Sequence, residues 1–204
     1  MNKVFLLFVL SFTFANSQTE KDTVVNKVNI DSLVNKIKYE EIYEGINSKS
    51  KRQFLGKEIP FFIVKDINGF EFDSSKTKRL VFYNFWFSGC VPCVLETDML
   101  NNLQNKFKDQ VDFVSVTFDS KESVVNFIKK HPFNFRHLSV SKEFLSNLDI
   151  NGGYPTSVLV FDGKIIKYRL GGPSDLETLT SKLGLFGTYY KFRSAIEQAL
   201  ATFK

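Results

Sequence analysis

Cys90 and Cys93 are the chain's only two cysteines, and they stand three positions apart. Such a pair can carry disulfide exchange if one sulfur attacks as a thiolate and the other then reaches the mixed disulfide. A free cysteine has a pKa of about 8.5, so the attacking thiol needs stabilisation near neutral pH. A helix N-terminus supplies it through unpaired N–H groups and the macrodipole. The second thiol must lie one turn on, along the same face, which a spacing of three provides. The flanking residues fit that arrangement. Leu80 to Phe87 is a continuous apolar run that reads as a strand buried on both faces, and Ser88-Gly89 ends it. Pro92 then falls in the first helical turn, where its missing N–H has no partner to lose. Cys90 is the expected exposed nucleophile and Cys93 the resolving thiol behind it. A bridge across so short a loop restrains the unfolded chain little, so a stapling role explains the pair poorly.

Structural zinc is the competing use of such a pair. It normally takes four ligands, and no second cysteine pair exists; His131 and His137 are the two histidines available to complete a site. No metal is expected. Nor is nucleic acid: the formal charge is +5, or +4 once residues 1–17 with Lys3 are set aside. Apart from Lys49-Ser50-Lys51-Arg52 the charges are interspersed, without basic residues interleaved with stacking aromatics.

The elements that must position the pair follow from periodicity. Phe61–Val64 reads as a strand, Asp66–Gly69 as a turn, and Phe70–Phe72 as a second short strand. After the central run, Val94, Leu95, Met99, Leu103 and Phe107 mark a helix from Val91 to about Lys108. Val111–Phe118 is expected as a strand, Lys121–Lys130 as a helix, Phe133–Leu138 as a strand and Lys142–Leu148 as a helix. Asn151-Gly152-Gly153 is a loop, and Thr156–Phe161 joins Lys164–Leu170 through a hairpin turn at Asp162-Gly163. Helices near 175–183 and 189–203 close the chain. With 43% hydrophobic residues, and phenylalanine at 23 positions to fill an interior, this is a globular α/β composition. The alternation predicts a mostly parallel sheet with an antiparallel edge from the hairpin.

Trp86-Phe87-Ser88-Gly89-Cys90-Val91-Pro92-Cys93-Val94-Leu95-Glu96 resembles the active-site stretch of the TlpA/ResA branch of the thioredoxin superfamily, extracytoplasmic thiol–disulfide oxidoreductases related to the cytochrome c maturation thioredoxins. Gly153-Tyr154-Pro155-Thr156, just before a strand, resembles that family's cis-proline loop. The likeness spans roughly residues 56–183. It implies a thioredoxin-like fold: a central mixed sheet flanked by helices, with an inserted helix–strand element and an N-terminal extension. It implies Cys90 and Cys93 as the catalytic, redox-active disulfide, with no further cofactor. Glu96, three positions after the second cysteine, would exchange the proton of Cys93. Tyr154 and Pro155, with a cis bond between them, would form the substrate-side wall; Trp86, grouped with them for substrate binding, would pack beneath the active site, with a plain core tryptophan as the alternative. Asn84 stands where cytoplasmic thioredoxin has a buried aspartate, which shifts the proton role toward Glu96. Two other functions of the same fold remain open. A copper-handling metallochaperone more usually has CxxxC and a late histidine, and the last histidine here is His137. A peroxiredoxin-like peroxidase has a threonine three residues before a single reactive cysteine, and Phe87 stands there.

At the N-terminus Lys3, the apolar stretch from Val4, and Ala15-Asn16-Ser17 read as a signal peptide over residues 1–17. The apolar stretch is short of the roughly 20 residues that span a bilayer. Residues 18–58 form a polar extension with a helix where Ile30, Leu33, Val34 and Ile37 recur, and residues 59–204 form the main domain. The expectation is an exported, periplasmic or cell-envelope protein. Its partners would be exported proteins bearing disulfides or thiols, and by the resemblance it acts as a reductase fed by a membrane electron donor.

Overall fold

The computed structural model describes residues 54–150, 152–170 and 182–202. The expected signal segment and almost all of the N-terminal extension with its helix lie outside them, as does most of the helix expected near 175–183.

A short hairpin comes first. β1 (Ile63–Lys65) pairs antiparallel with β2 (Glu71–Asp73). The turn between them is built by Asp66, whose Oδ1 accepts the N–H groups of Asn68 and Phe70, and by Gly69 at φ +88°. Both strands sit one or two residues later than hydrophobicity alone places them, because the Asp66 side chain sets where the turn closes.

Five strands make the main sheet, in the order β5-β4-β3-β6-β7. They are β3 (Leu80–Phe85), β4 (Asp112–Thr117), β5 (Arg136–Ser139), β6 (Thr156–Phe161) and β7 (Lys164–Leu170). The helices are α1 (Val91–Phe107), α2 (Lys121–Lys130), α3 (Lys142–Leu148) and α4 (Lys182–Thr202). Ser120 and Ser141 cap α2 and α3 by accepting the N–H groups of Ser123 and Phe144.

The sheet is less parallel than the strand–helix alternation suggests. β3–β4 and β4–β5 are parallel, but β6 joins β3 antiparallel, as β7 joins β6. The cause is the connection. β5 ends at the same end of the sheet where β6 begins, with Thr156 facing Phe85, and the seven-residue α3 does not carry the chain back to the opposite end before β6 starts. At the C-terminus the helix starts earlier than expected and runs through Gly184 and Gly187. Burial of Phe192, Ile196 and Ala199 outweighs the glycines' cost of about 1 kcal/mol each.

β3 is buried at every position because each sheet face carries its own apolar layer. On one face Phe82 and Leu159 meet Met99, Leu100 and Leu103 of α1 and Phe192 and Ile196 of α4. On the other, Val81, Tyr83 and Phe85 meet Leu145 and Leu148 of α3, together with Phe54 and Phe72. Phe54, the first described residue, stacks on Tyr168 at 4.3 Å.

One row interrupts the apolar pattern. His137, Ser115, Asn84, Ser157 and Arg169 occupy successive register positions on β5, β4, β3, β6 and β7. Directly paired residues share a sheet face. Asn84 alternates with Phe82 and Trp86 of the α1 layer, so the polar row lies under α1.

Candidate active site

α1 begins where the sequence predicts. Cys90 is its N-cap, with extended backbone, and Pro92 lies in the first turn. The Cys90 carbonyl accepts the N–H of Val94, and its Sγ lies 3.3 Å from the Cys93 N–H. The two cysteines form a disulfide. A thiolate at Cys90 would therefore face the free N–H groups of a helix N-terminus, the arrangement that lowers a thiol pKa.

Exposure does not distinguish the two sulfurs as expected. Cys90 and Cys93 are each 5% exposed. In the disulfide form both fold into the apolar layer that holds Trp86, and Phe87 and Tyr154 pack against that layer. The asymmetry is positional: Cys90 caps the helix and Cys93 lies inside it. The exposed surface here belongs to Gly89 and Val91, beside half-buried Phe87, Ser88 and Pro92.

Two strands hold the reactive loop. The Trp86 N–H donates to Val116 O, extending β3 along β4. The Ser88 N–H donates to Asp119 Oδ2 at 2.6 Å, fastening the loop to the end of β4. Opposite, the Tyr154–Pro155 bond is cis, and its loop follows Phe85 in register because Thr156 pairs with Phe85. The rings of Phe87 and Tyr154 are 5.2 Å apart and nearly perpendicular, and Phe118 packs against both. Sequence reasoning missed Phe118 and Asp119, which come from the loop after β4 and carry no local motif.

Trp86 does not sit where a substrate-binding residue should. It is 1% exposed, with its indole against Phe127, Phe133 and His137. It is core beneath the site, and its Nε1 is a buried donor without a partner. Asn84 is also buried and donates to Ser157 Oγ at 3.1 Å.

Glu96 is 1% exposed, deeper than a helix-surface carboxylate. Its Oε1 accepts from Arg169 Nη1 of β7, while Oε2 is buried with no partner. Burial pushes this carboxyl up, and the Arg169 cation offsets only part of that rise. Nothing in the sequence pointed to Arg169, since the contact spans 73 residues and depends on strand register.

His137 has no free ligand atom. Its Nε2 donates to Phe133 O at 2.8 Å and its Nδ1 accepts from the Ser115 hydroxyl at 2.5 Å, the neutral tautomer that satisfies both. Burial pushes its pKa down. Among the described residues no three His, Cys, Asp or Glu side chains gather closely enough to hold a metal ion.

A mixed α/β sheet, a cysteine pair opening the helix after the central strand, and a facing cis-proline loop define a thioredoxin-like thiol–disulfide oxidoreductase. The chain belongs to the Redoxin family, whose profile matches residues 54–183. It is 31% identical over 136 residues to thiol-disulfide oxidoreductase ResA of Bacillus cereus (strain ZK / E33L), covering 64% of this chain and 78% of that one. ResA of Bacillus subtilis (strain 168) is 33% identical over 138 residues, covering 65% and 74%. Among solved structures, one described as a thiol:disulfide interchange protein DsbE from Chlorobium tepidum superposes with a TM-score of 0.53 at 27% identity, covering 66% of this chain and 97% of that one. The protein is a ResA-like thiol–disulfide oxidoreductase that exchanges disulfides with substrate proteins.

Proposed function

We propose that Cys90 is the attacking sulfur and Cys93 the resolving one in a reductase of exported proteins. The observation that carries this reading is the placement of Cys90 as N-cap of α1 with Cys93 in its first turn. The Cys90 thiolate attacks a substrate disulfide, one substrate sulfur leaves as thiolate, and a mixed disulfide forms. Cys93 then attacks Cys90 Sγ, the Cys90–substrate bond breaks, and the electron pair leaves with the second substrate sulfur. Substrate is reduced by two electrons and the Cys90–Cys93 disulfide forms. Glu96, on the same helix face as Cys93, takes the Cys93 proton before that second attack. The Tyr154–Pro155 loop, with Phe87 and Phe118 packed on Tyr154, forms the wall along which the substrate segment lies.

Export rests on the Lys3 and Val4–Leu10 pattern. It makes other exported proteins the substrates and a membrane thiol donor the source of electrons that regenerates the dithiol. The experiment is substrate trapping in the envelope fraction of the native cell. A Cys93→Ser variant should accumulate mixed disulfides through Cys90, and Cys90→Ser should accumulate none and lose turnover of a disulfide substrate. Full turnover in Cys90→Ser sinks the assignment. A wild-type Cys90–Cys93 pair held oxidised in that compartment would reverse the direction of electron flow.

A further inference from the structure

Glu96 is an unusual carboxylate, being almost wholly buried with one oxygen held and the other unpartnered. Its own helix cannot hold it. The neighbours one turn away are Pro92, Cys93, Met99 and Leu100, none of them a cation. The partner comes from the far side of the sheet order: Arg169 faces Ser157 on β6, which faces Asn84 on β3, so the polar row delivers the guanidinium beneath α1. Arg169 is itself mostly covered, with 18% of its side chain exposed. A partly buried cation aimed at a buried carboxylate is costly to assemble and fixes geometry in return.

We propose that Arg169 is a positioning residue for the proton transfer of this site. By holding Oε1 of Glu96 it leaves Oε2 as the atom that takes the proton from Cys93 Sγ in the resolving step. The inference rests on the reading of Glu96 as the proton partner of Cys93. The proton moves from Cys93 Sγ to Glu96 Oε2, the Cys93 thiolate forms the bond to Cys90 Sγ, and the departing substrate thiolate takes its own proton from water. Without the cation, burial alone would keep the carboxyl protonated to higher pH and unable to accept.

Other groups around Glu96 do not substitute for Arg169. Asn84 of β3, Trp86 just after that strand, and Ser157 of β6 are polar and uncharged. Cys93 is the titratable neighbour on α1. From α4, Tyr189 packs on the same apolar layer, and burial pushes its hydroxyl up. Lys167 precedes Arg169 by two residues on β7. The charge that offsets the burial of Glu96 is that of Arg169.

The test is the pH dependence of the reduced full-length protein reacting with 5,5′-dithiobis(2-nitrobenzoate), which releases one chromophore on Cys90 attack and a second on Cys93 resolution. In Arg169→Gln the second phase should slow about tenfold near neutral pH, with its midpoint about one pH unit higher. The first phase should be unchanged. Arg169→Lys should shift the midpoint in the same direction by less. In a Glu96→Gln background, adding Arg169→Gln should change the second phase by less than about twofold, as two residues acting through one step require. A wild-type second-phase profile in Arg169→Gln overturns the inference, as does equal slowing of both phases or an undiminished effect in the Glu96→Gln background. If Arg169→Gln does not fold, an unshifted profile in Arg169→Lys overturns it. A Glu96→Gln variant with a normal second phase overturns instead the reading of Glu96 on which the inference rests.

Discussion

The two ends of the buried polar row are finished differently. At β5 the ring of His137 has both nitrogens engaged, by Ser115 and by the Phe133 carbonyl. At β7 Arg169 meets Glu96 of α1, which has one oxygen on that guanidinium and the other on nothing. A buried polar group with every valence satisfied specifies packing and resists change. One left half-satisfied holds its charge at a cost and keeps an atom ready for a proton. The contrast agrees with the proposal that histidine, the commoner proton carrier, is structural here and that the carboxylate carries the proton.

The largest expected effect separates the ends by chemistry. Glu96→Gln should slow Cys93-dependent resolution by about a hundredfold, the scale of a lost general base. His137→Gln, measured per folded molecule, should stay within about twofold of wild type. Equal slowing in both variants would break the comparison.

The next effect separates them by stability. His137→Ala leaves the Ser115 hydroxyl and Phe133 carbonyl buried without a partner and should lose about 1–3 kcal/mol in urea denaturation. Its oxidised form should retain the Cys90–Cys93 bond.

A smaller effect concerns pH. Burial holds the folded-state pKa of Glu96 above the ordinary value of a glutamate. Its contribution to stability is full below that value and is lost as pH rises through the folded pKa. His137 is shifted the other way, below 6.5. Its contribution is present above that value and is lost as pH falls through the depressed pKa. Denaturation midpoints measured against pH should therefore lose their alkaline-going decline in Glu96→Gln and part of their acid-going decline in His137→Gln. A curve unchanged in both variants would remove the electrostatic basis of the contrast.

The smallest effect is at Trp86. Trp86→Phe removes an unpartnered donor with a modest change of volume and should alter stability by no more than about 1.5 kcal/mol. A larger loss would reveal a partner for Nε1.

Much of the scaffold was legible because its signals are local. The bounds of α2, α3, β6 and β7 follow from caps, turn residues and apolar spacing within a few residues of each boundary. The start of α1 was equally plain, since Cys90 and Pro92 meet requirements of the first helical turn itself. That Trp86 is core beneath the site, closed off from direct contact with a substrate, was less plain: adjacency to the cysteines along the chain says nothing of which sheet face a side chain joins. The exposure expected of Cys90 failed because Phe87 and Tyr154, brought together across β3 and β6, close over the layer that holds it.

By itself the sequence determined that a cysteine pair would open a helix after a buried strand, since both features depend on residues in direct succession. It also placed a proline-bearing loop before β6. Only the tertiary structure decided that β6 runs antiparallel to β3, and hence that Arg169, at one register position of β7, comes to rest on Glu96. That pairing depends on alignment across two strand interfaces, and a shift of one residue at either would turn the guanidinium to the opposite face of the sheet.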